Sequence, residues 1–399
     1  MTLTMTGPLS GIQVLDLSRA MAGPFCTQLL GDMGARIIKI ESPQGGDETR
    51  FWGPDWNGIS CYFLSINRNK QSVAVDLKSK AGREIVLALA RRSDVFIENF
   101  RPGIVKRLGL DYGTLSQLNP RLVYCSLSGF GQDGPRAQEP AYDLMMQGFS
   151  GLMSLTGFRD GPPLRAGLPV TDLAAALFAA VGIVSALVRR QQEGCGQKVE
   201  TSLMEGQLSW LSYYVVGYLA NGIVIGSMGN AHHSLTPYNT YKARDDYFTL
   251  AVGNDVQWRK LCDAIDATGL GDDPRFTTNA NRLTHRDALD LLLDEIFQRH
   301  AADDLIARIS AAGVPCGPIN TIDRIVSDPQ VQHMATIQSV PHPEIPDLKL
   351  CGIPIRFSKT PAAIQSPPPL LGEHTDQVLT ELGYSEKQIA ELRRDGTVA

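Results

Sequence analysis

Apolar positions in the first third of the chain fall into two alternating rhythms. The segments 11–18 (GIQVLDLS), 35–41 (ARIIKIE), 72–77 (SVAVDL), 94–100 (DVFIENF) and 122–128 (LVYCSLS) are short, nearly continuous apolar runs. Between them lie segments with helical spacing: FCTQLLGDMG behind Ala22-Gly23-Pro24, Lys78 to Arg92, and IVKRLGL behind Pro102. Strands that are apolar on both faces, with helices interposed, predict βαβ units and a parallel sheet covered on both sides. Right-handed crossovers make such a sheet doubly wound, so the predicted class is α/β.

The rhythm then changes. A Gly- and Pro-rich loop (129–140) leads into the apolar stretch AYDLMMQGFSGLMSLTG, and a second loop (158–169) leads into a long helix predicted from Leu173 to Gln192. Gly194-Cys195-Gly196 closes that helix. Near Gly222 to Asn230 small residues take over, and YNTYKARDDYFTLAVG predicts a hairpin turning at Asp245-Asp246. Helices are expected at 255–267, 284–299 and 302–312, a strand in LKLCGIPIRFS, and a closing amphipathic helix over DQVLTELGYSEKQIAELRRDG. The expected organisation is a large α/β domain at 1–222, an inserted smaller α+β domain at 223–330, and a linker and return to the large domain at 331–399.

Composition narrows the function. A net charge of −5 over 399 residues argues against nucleic acid as a partner. Seven cysteines (26, 61, 125, 195, 262, 316, 351) without a C-x-x-C pair fit reduced thiols, and no zinc-ligand spacing occurs, so no metal is expected. The start MTLTMTGPLSG lacks an apolar signal region, and the most apolar run, Leu173 to Val188, is shorter than the roughly 20 residues of a membrane span. A soluble, cytoplasmic protein without membrane contact is expected.

Several residues invite chemistry. Gly129 to Gly134 spells G-x-G-x-x-G, but Pro135 and a polar loop follow where a dinucleotide site needs a helix. Thr171-Asp172 precedes the long helix, where either side chain would cap exposed N–H groups. The Asp172 carboxylate, beside two glycine-rich loops, is equally a candidate nucleophile. Tyr142 lies among apolar neighbours, as a half-buried residue or as a donor to a neighbouring carboxylate or oxyanion. Lys39, Arg68, Lys70, Lys78 and Arg107 follow strands or open helices, where phosphates recruit cations. His232-His233 is either a surface pair or a donor to a substrate carboxylate.

Taken in order, LDLSRAMAGPFCTQLLGDMGARIIKIESPQGGDETR (15–50), NRNKQSVAVDLK (67–78), FIENFRPG (96–103), GFGQDGP, DLAAALFAA, GVPCGPIN (313–320) and PLLGEHTD form a specific set. Through them the chain resembles the family III CoA-transferases over residues 7–396. The resemblance implies an interlocked homodimer with a Rossmann-like large domain and a smaller domain between its segments. It implies Asp172 as nucleophile with Tyr142 nearby. Contacts to CoA fall on Ala20, Met21, Val75, Lys78, Asn99, Phe100 and Arg107. Coenzyme A and acyl-CoA are then substrates, with no permanently bound cofactor. Two departures stand out: GNAHHSLTPYNTY replaces the glycine run of the formyl-transferring members, and Ser42 stands where a CoA-contacting arginine is expected.

The implied activity is transfer of CoA from an acyl-CoA, with succinyl-CoA as expected donor, to a carboxylic and specifically dicarboxylic acid held by His232 and His233. It would pass through an aspartyl anhydride and an aspartyl-CoA thioester. An α-methylacyl-CoA racemase would need a histidine at position 142, and a phenol, ordinarily titrating near 10, suits α-proton removal poorly. A non-catalytic acyl-CoA binder is the third reading.

Overall fold

The computed structural model describes residues 7–399. Two compact units are present, one of residues 7–151, 166–215 and 329–399, the other of 152–165 and 216–328. The larger is built on six parallel strands: β1 (Gln13–Asp16), β2 (Arg36–Glu41), β3 (Lys70–Ala74), β4 (Val95–Glu98), β5 (Val123–Ser128) and β6 (Lys198–Ser202). Their spatial order is β3-β2-β1-β4-β5-β6.

Successive residues of each strand serve opposite faces. Val14, Ile37, Val95 and Val123 pack under helices α1 (Ala22–Asp32) and α4 (Val170–Glu193). Leu15, Ile38, Phe96 and Tyr124 pack under α2 (Lys80–Arg92) and the helices Thr375–Leu382 and Glu386–Arg394. The chain closes with two helices where one was expected, because Gly383 takes φ 98° and Ser385 starts a new helix with a capping box to Gln388. The expected strand in LKLCGIPIRFS shrinks to Lys349–Cys351, short of the helix- and strand-averse Gly352 and Pro354. Helix α4 runs for 24 residues, and by length and composition it could cross a membrane. Its alanine-rich side (Ala175, Ala176, Ala179, Ile183) is buried against α1 and the sheet instead.

At the carboxyl ends of β1 to β3 sits a buried ionic network. The Lys39 ammonium donates to Asp47 Oδ2 (2.9 Å) and to the Ser18 carbonyl (2.9 Å), and both charged side chains are fully buried. Arg50 forks onto Glu41 (2.8 and 2.7 Å), and Arg68 onto Asp32 (2.9 and 2.7 Å). Lys70, buried 3.5 Å from Asp16, donates to the Pro24 carbonyl (2.8 Å), and burial pulls it down to about 7 against the attraction of Asp16. Lys39, Arg68 and Lys70 are therefore structural cations, which corrects their reading as phosphate ligands.

The smaller unit carries the hairpin β7 (Tyr238–Lys242) and β8 (Tyr247–Ala251), joined by β9 (Cys316–Pro318) on the outer side of β8. Helices 255–264, 286–297 and 302–311 close a core around Trp258, Phe276, Leu289 and Phe297.

Removing Lys39 strands Asp47 as a buried charge, so Lys39→Ala should cost about 3–5 kcal/mol in urea unfolding. The half-buried pair Arg36–Glu381 (2.6 Å) provides the contrast, and Arg36→Ala should cost about 1 kcal/mol or less.

Candidate functional site

The strand order reverses between β1 and β4, and open α/β sheets bind ligands outside the strand ends at such a point. The two segments that leave the sheet there are laced together. Asn99 Oδ1 accepts from the Arg19 N–H (2.8 Å), and Asn99 Nδ2 donates to the Arg19 carbonyl (2.7 Å). The Arg19 guanidinium lies 4.8 Å over the Phe100 ring. Ala20 has φ 61°, a conformation alanine adopts only when its surroundings hold it. Its N–H reaches Asp47 Oδ1 (3.3 Å), the same carboxylate that Lys39 anchors. Gly23 is forced by close approach, since a Cβ there would stand 2.1 Å from that of Ser18.

Ala20, Met21, Asn99 and Phe100, implied above by resemblance, thus come together at the switch point. The others stand on separate elements. Val75 is buried with its N–H given to the Glu41 carbonyl, while Lys78 and Arg107 are exposed. Ser42 is exposed and bonds only to neighbouring Gln44. The glycine triplet at 129–134 is followed by bends and turns before α3 (Asp143–Phe149), and Gly129 is required because a Cβ would collide with Ala141 at 2.2 Å.

The second cluster surrounds Asp172. Helix α4 starts at Val170, three residues before the predicted start, so Thr171 and Asp172 lie inside its first turn. The N-cap position is Pro169, which has no side-chain acceptor. This corrects the expectation that Thr171 or Asp172 caps the helix. The acceptor comes from elsewhere in the chain: Asp143 Oδ1 takes the Thr171 N–H (2.9 Å) and the Thr171 hydroxyl (2.8 Å). Its other oxygen accepts from Gln147 Nε2 (2.6 Å).

Asp172 remains partly accessible, and no donor among the described residues reaches its carboxylate. Burial, and then the Asp143 charge, push it up to about 7. The Tyr62 phenol faces the pair and is pushed up to about 12, by burial first and then by Asp172 and Asp143. Tyr142, expected to be half-buried, is exposed on one flank of this cluster, with 59% of its surface open. Sequence reasoning passed over Asp143, Gln147 and Tyr62. A signal was present, because a long helix behind Pro169 needs an acceptor from somewhere and Asp143 heads the helix next in line upstream.

In the smaller unit the rings of His232 and His233 stack at 4.7 Å, and His232 Nδ1 accepts from the Ser234 N–H (3.1 Å). Arg286 donates to the His232 carbonyl (2.7 Å), and His232 is lowered by burial, then by His233 and Arg286. His233 lines a cavity of about 540 Å³ with Arg159, Met228, His285 and Arg286.

An open sheet in this order, with a laced crevice at its switch point and an unengaged carboxylate in the first turn of a long helix, defines a Rossmann-like α/β enzyme. The chain belongs to CoA-transferase family III, whose profile matches residues 9–375. It is 38% identical to the human succinyl-CoA:glutarate CoA-transferase, over 98% of this chain and 90% of that one. It is 42% identical to the acetyl-CoA:oxalate CoA-transferase of Acetobacter aceti, over 81% and 84%. A CaiB/BaiF family protein from Brucella suis superposes with a TM-score of 0.85 at 40% identity, covering 94% of this chain and all of that one.

The raised proton affinity of Asp172 has a consequence for stability. Between the unfolded value near 3.8 and the folded value of about 7 the native state binds more protons, so stability contributed by the neutral carboxyl is lost as pH rises through that window. Asp172→Asn should therefore unfold at a higher temperature than the parent protein at pH 8, and the gap should close by about pH 4 in matched thermal melts.

Proposed function

We propose that this enzyme moves CoA from succinyl-CoA to a dicarboxylic acid of the glutarate type, with Asp172 as nucleophile. The carrying observation is the Asp172 carboxylate itself: accessible, without hydrogen-bond donors, and raised in basicity by its burial and by Asp143. The donor and acceptor follow the human relative, aligned over nearly the whole chain. The oxalate-named relative shares as much sequence, so the choice of acceptor rests on local residues and not on overall identity.

In the first step an Asp172 oxygen bonds to the thioester carbonyl carbon and the C–S bond breaks, giving a mixed anhydride and CoA thiolate. The thiolate then attacks the aspartyl carbonyl and expels succinate, leaving an aspartyl-CoA thioester. The acceptor carboxylate displaces the thiolate to form a second anhydride. Return of the thiolate to the acceptor's acyl carbon yields the new CoA ester and frees Asp172. The thioester's energy is carried in covalent bonds throughout, and backbone N–H groups of the flanking glycine-rich loops would stabilise the oxyanions.

Ala20, Met21, Asn99 and Phe100 would hold CoA at the switch point, with Val75, Lys78 and Arg107 contributing along its length. Tyr142, exposed beside the cluster, would donate to the substrate. His232 and His233 would face the distal carboxylate, with Arg159 and Arg286 at the same cavity supplying permanent charge. A homodimer, interlocked as in the resemblance, would cover the outer face of α4, where Leu177, Phe178, Val181 and Val188 are each at least 40% exposed.

Incubation with succinyl-CoA alone, followed by hydroxylamine or borohydride and peptide mass mapping, should place an adduct on Asp172 that Asp172→Ala lacks. No adduct with any acyl-CoA, together with deuterium entering the α-carbon of a branched acyl-CoA, would replace this reading with a racemase. Because attack requires the ionised carboxylate, kcat/KM for succinyl-CoA should fall about tenfold per pH unit below about 7. His232→Ala should raise the KM for glutarate while leaving that for succinyl-CoA in place, and an unchanged glutarate KM removes His232 from the acceptor site.

A further inference from the structure

We propose that Asp143 is a positioning residue for the nucleophile: it takes the donors at the start of α4 onto its own carboxylate, leaves Asp172 without a hydrogen-bond partner, and sets a like charge beside it. The proposal rests on the assignment of Asp172 made above.

The argument begins with an accounting of donors. The first turn of α4 presents N–H groups that need acceptors, and Pro169 supplies none. Thr171 is fully buried, so its N–H and hydroxyl must be satisfied by protein. An aspartate in the first helical turn is well placed to receive such donors. Here Asp143, heading α3, accepts both on Oδ1 (2.9 and 2.8 Å). Gln147, one turn along α3 and buried, donates to Asp143 Oδ2 (2.6 Å) and more weakly to the Leu168 carbonyl (3.3 Å), while its Oε1 accepts the Ala166 N–H (2.8 Å). All four polar side-chain atoms of Asp143 and Gln147 are thereby engaged, holding the chain from Ala166 to Thr171 against α3. All the contacts to Asp143 are donated to it, which suits an anionic acceptor.

The groups facing Asp172 are Asp143 from α3 and Tyr62 from the helix Cys61–Ile66. The phenol stays neutral up to about 12, and no cation figures among the influences on Asp172. Burial and Asp143 both oppose charge at this carboxylate. Acylation removes that charge just as protonation does, so the same surroundings favour the acylated form over the free carboxylate. Asp143 thus acts on the covalent step as well as on the helix.

The test uses Asp143→Asn, close in shape but uncharged, with Asp143→Ala beside it. Aspartate carboxyl carbons are labelled with 13C, and the Asp172 resonance is identified by its loss in Asp172→Asn. The wild-type midpoint is expected at about 7, and in Asp143→Asn lower by about one pH unit. The amplitude of the trapped Asp172 adduct at pH 8 should fall several-fold while the thermal midpoint changes little. A loss of helix capping alone would move the melting temperature and leave the titration in place. An unmoved midpoint with an undiminished adduct in Asp143→Asn overturns the proposal, and if Asp143→Ala fails to fold, Asp143→Asn still decides. A shifted midpoint in a protein whose wild type forms no adduct overturns the nucleophile assignment alone, and upholds the control of Asp172 by Asp143.

Discussion

The ionic network under the carboxyl ends of β1, β2 and β3 is the constraint on which the ligand crevice depends. An ion taken out of water loses several kcal/mol of solvation even after relaxation, so a buried Lys39 or Asp47 persists only in a tightly specified geometry. Meeting that requirement fixes loops as well as strands. Lys39 holds the Ser18 carbonyl, Asp47 reaches the Ala20 N–H, and Lys70 holds the Pro24 carbonyl, so the segment joining β1 to α1 is pinned along its length. Ala20 keeps its left-handed backbone because these contacts leave it no alternative. Asn99 then transmits the same order to the segment after β4.

A similar economy governs the start of α4. A helix terminus is an electrostatic demand that some acceptor must answer. When the answering group lies on another helix, the aspartate already inside the first turn is released from structural duty. Asp143 and Gln147 make this arrangement specific by engaging the preceding loop as well. The two halves of the large unit's chemistry are thus set by different devices: buried ion pairs shape the crevice, and a cap borrowed from α3 frees the carboxylate.

Much of this was legible in the sequence, and the gaps have physical reasons. Five of the six sheet strands are buried on both faces, which writes continuous apolar runs into the chain. The sixth, Lys198–Ser202, lies at the sheet edge with alternating exposure, and KVETS carries a single aliphatic residue. Gly194 announced the end of α4 through its left-handed cap. The motif order pointed to Asp172, but not to why it is unengaged, because a cap supplied 28 residues upstream is a tertiary fact. Lys39 and Lys70 misled for the same reason: a cation after a strand is visible in sequence, whereas the Asp47 or Asp16 that folds onto it is not.

What burial does to Asp172 bears on why transfer through a carboxylate works at all. A nucleophile must be reactive enough to attack a thioester, yet the resulting anhydride must not be so unfavourable that it never accumulates. A well-solvated aspartate fails on both counts, because water stabilises its charge and blunts its attack. Withdrawing water and setting Asp143 beside it raises the energy of the free carboxylate without touching the neutral acyl forms. Basicity and covalent stability therefore rise from one cause. The limit is set by ionisation: a carboxyl titrating much above neutrality would be protonated and inert, and a value of about 7 leaves an appreciable fraction ready to react.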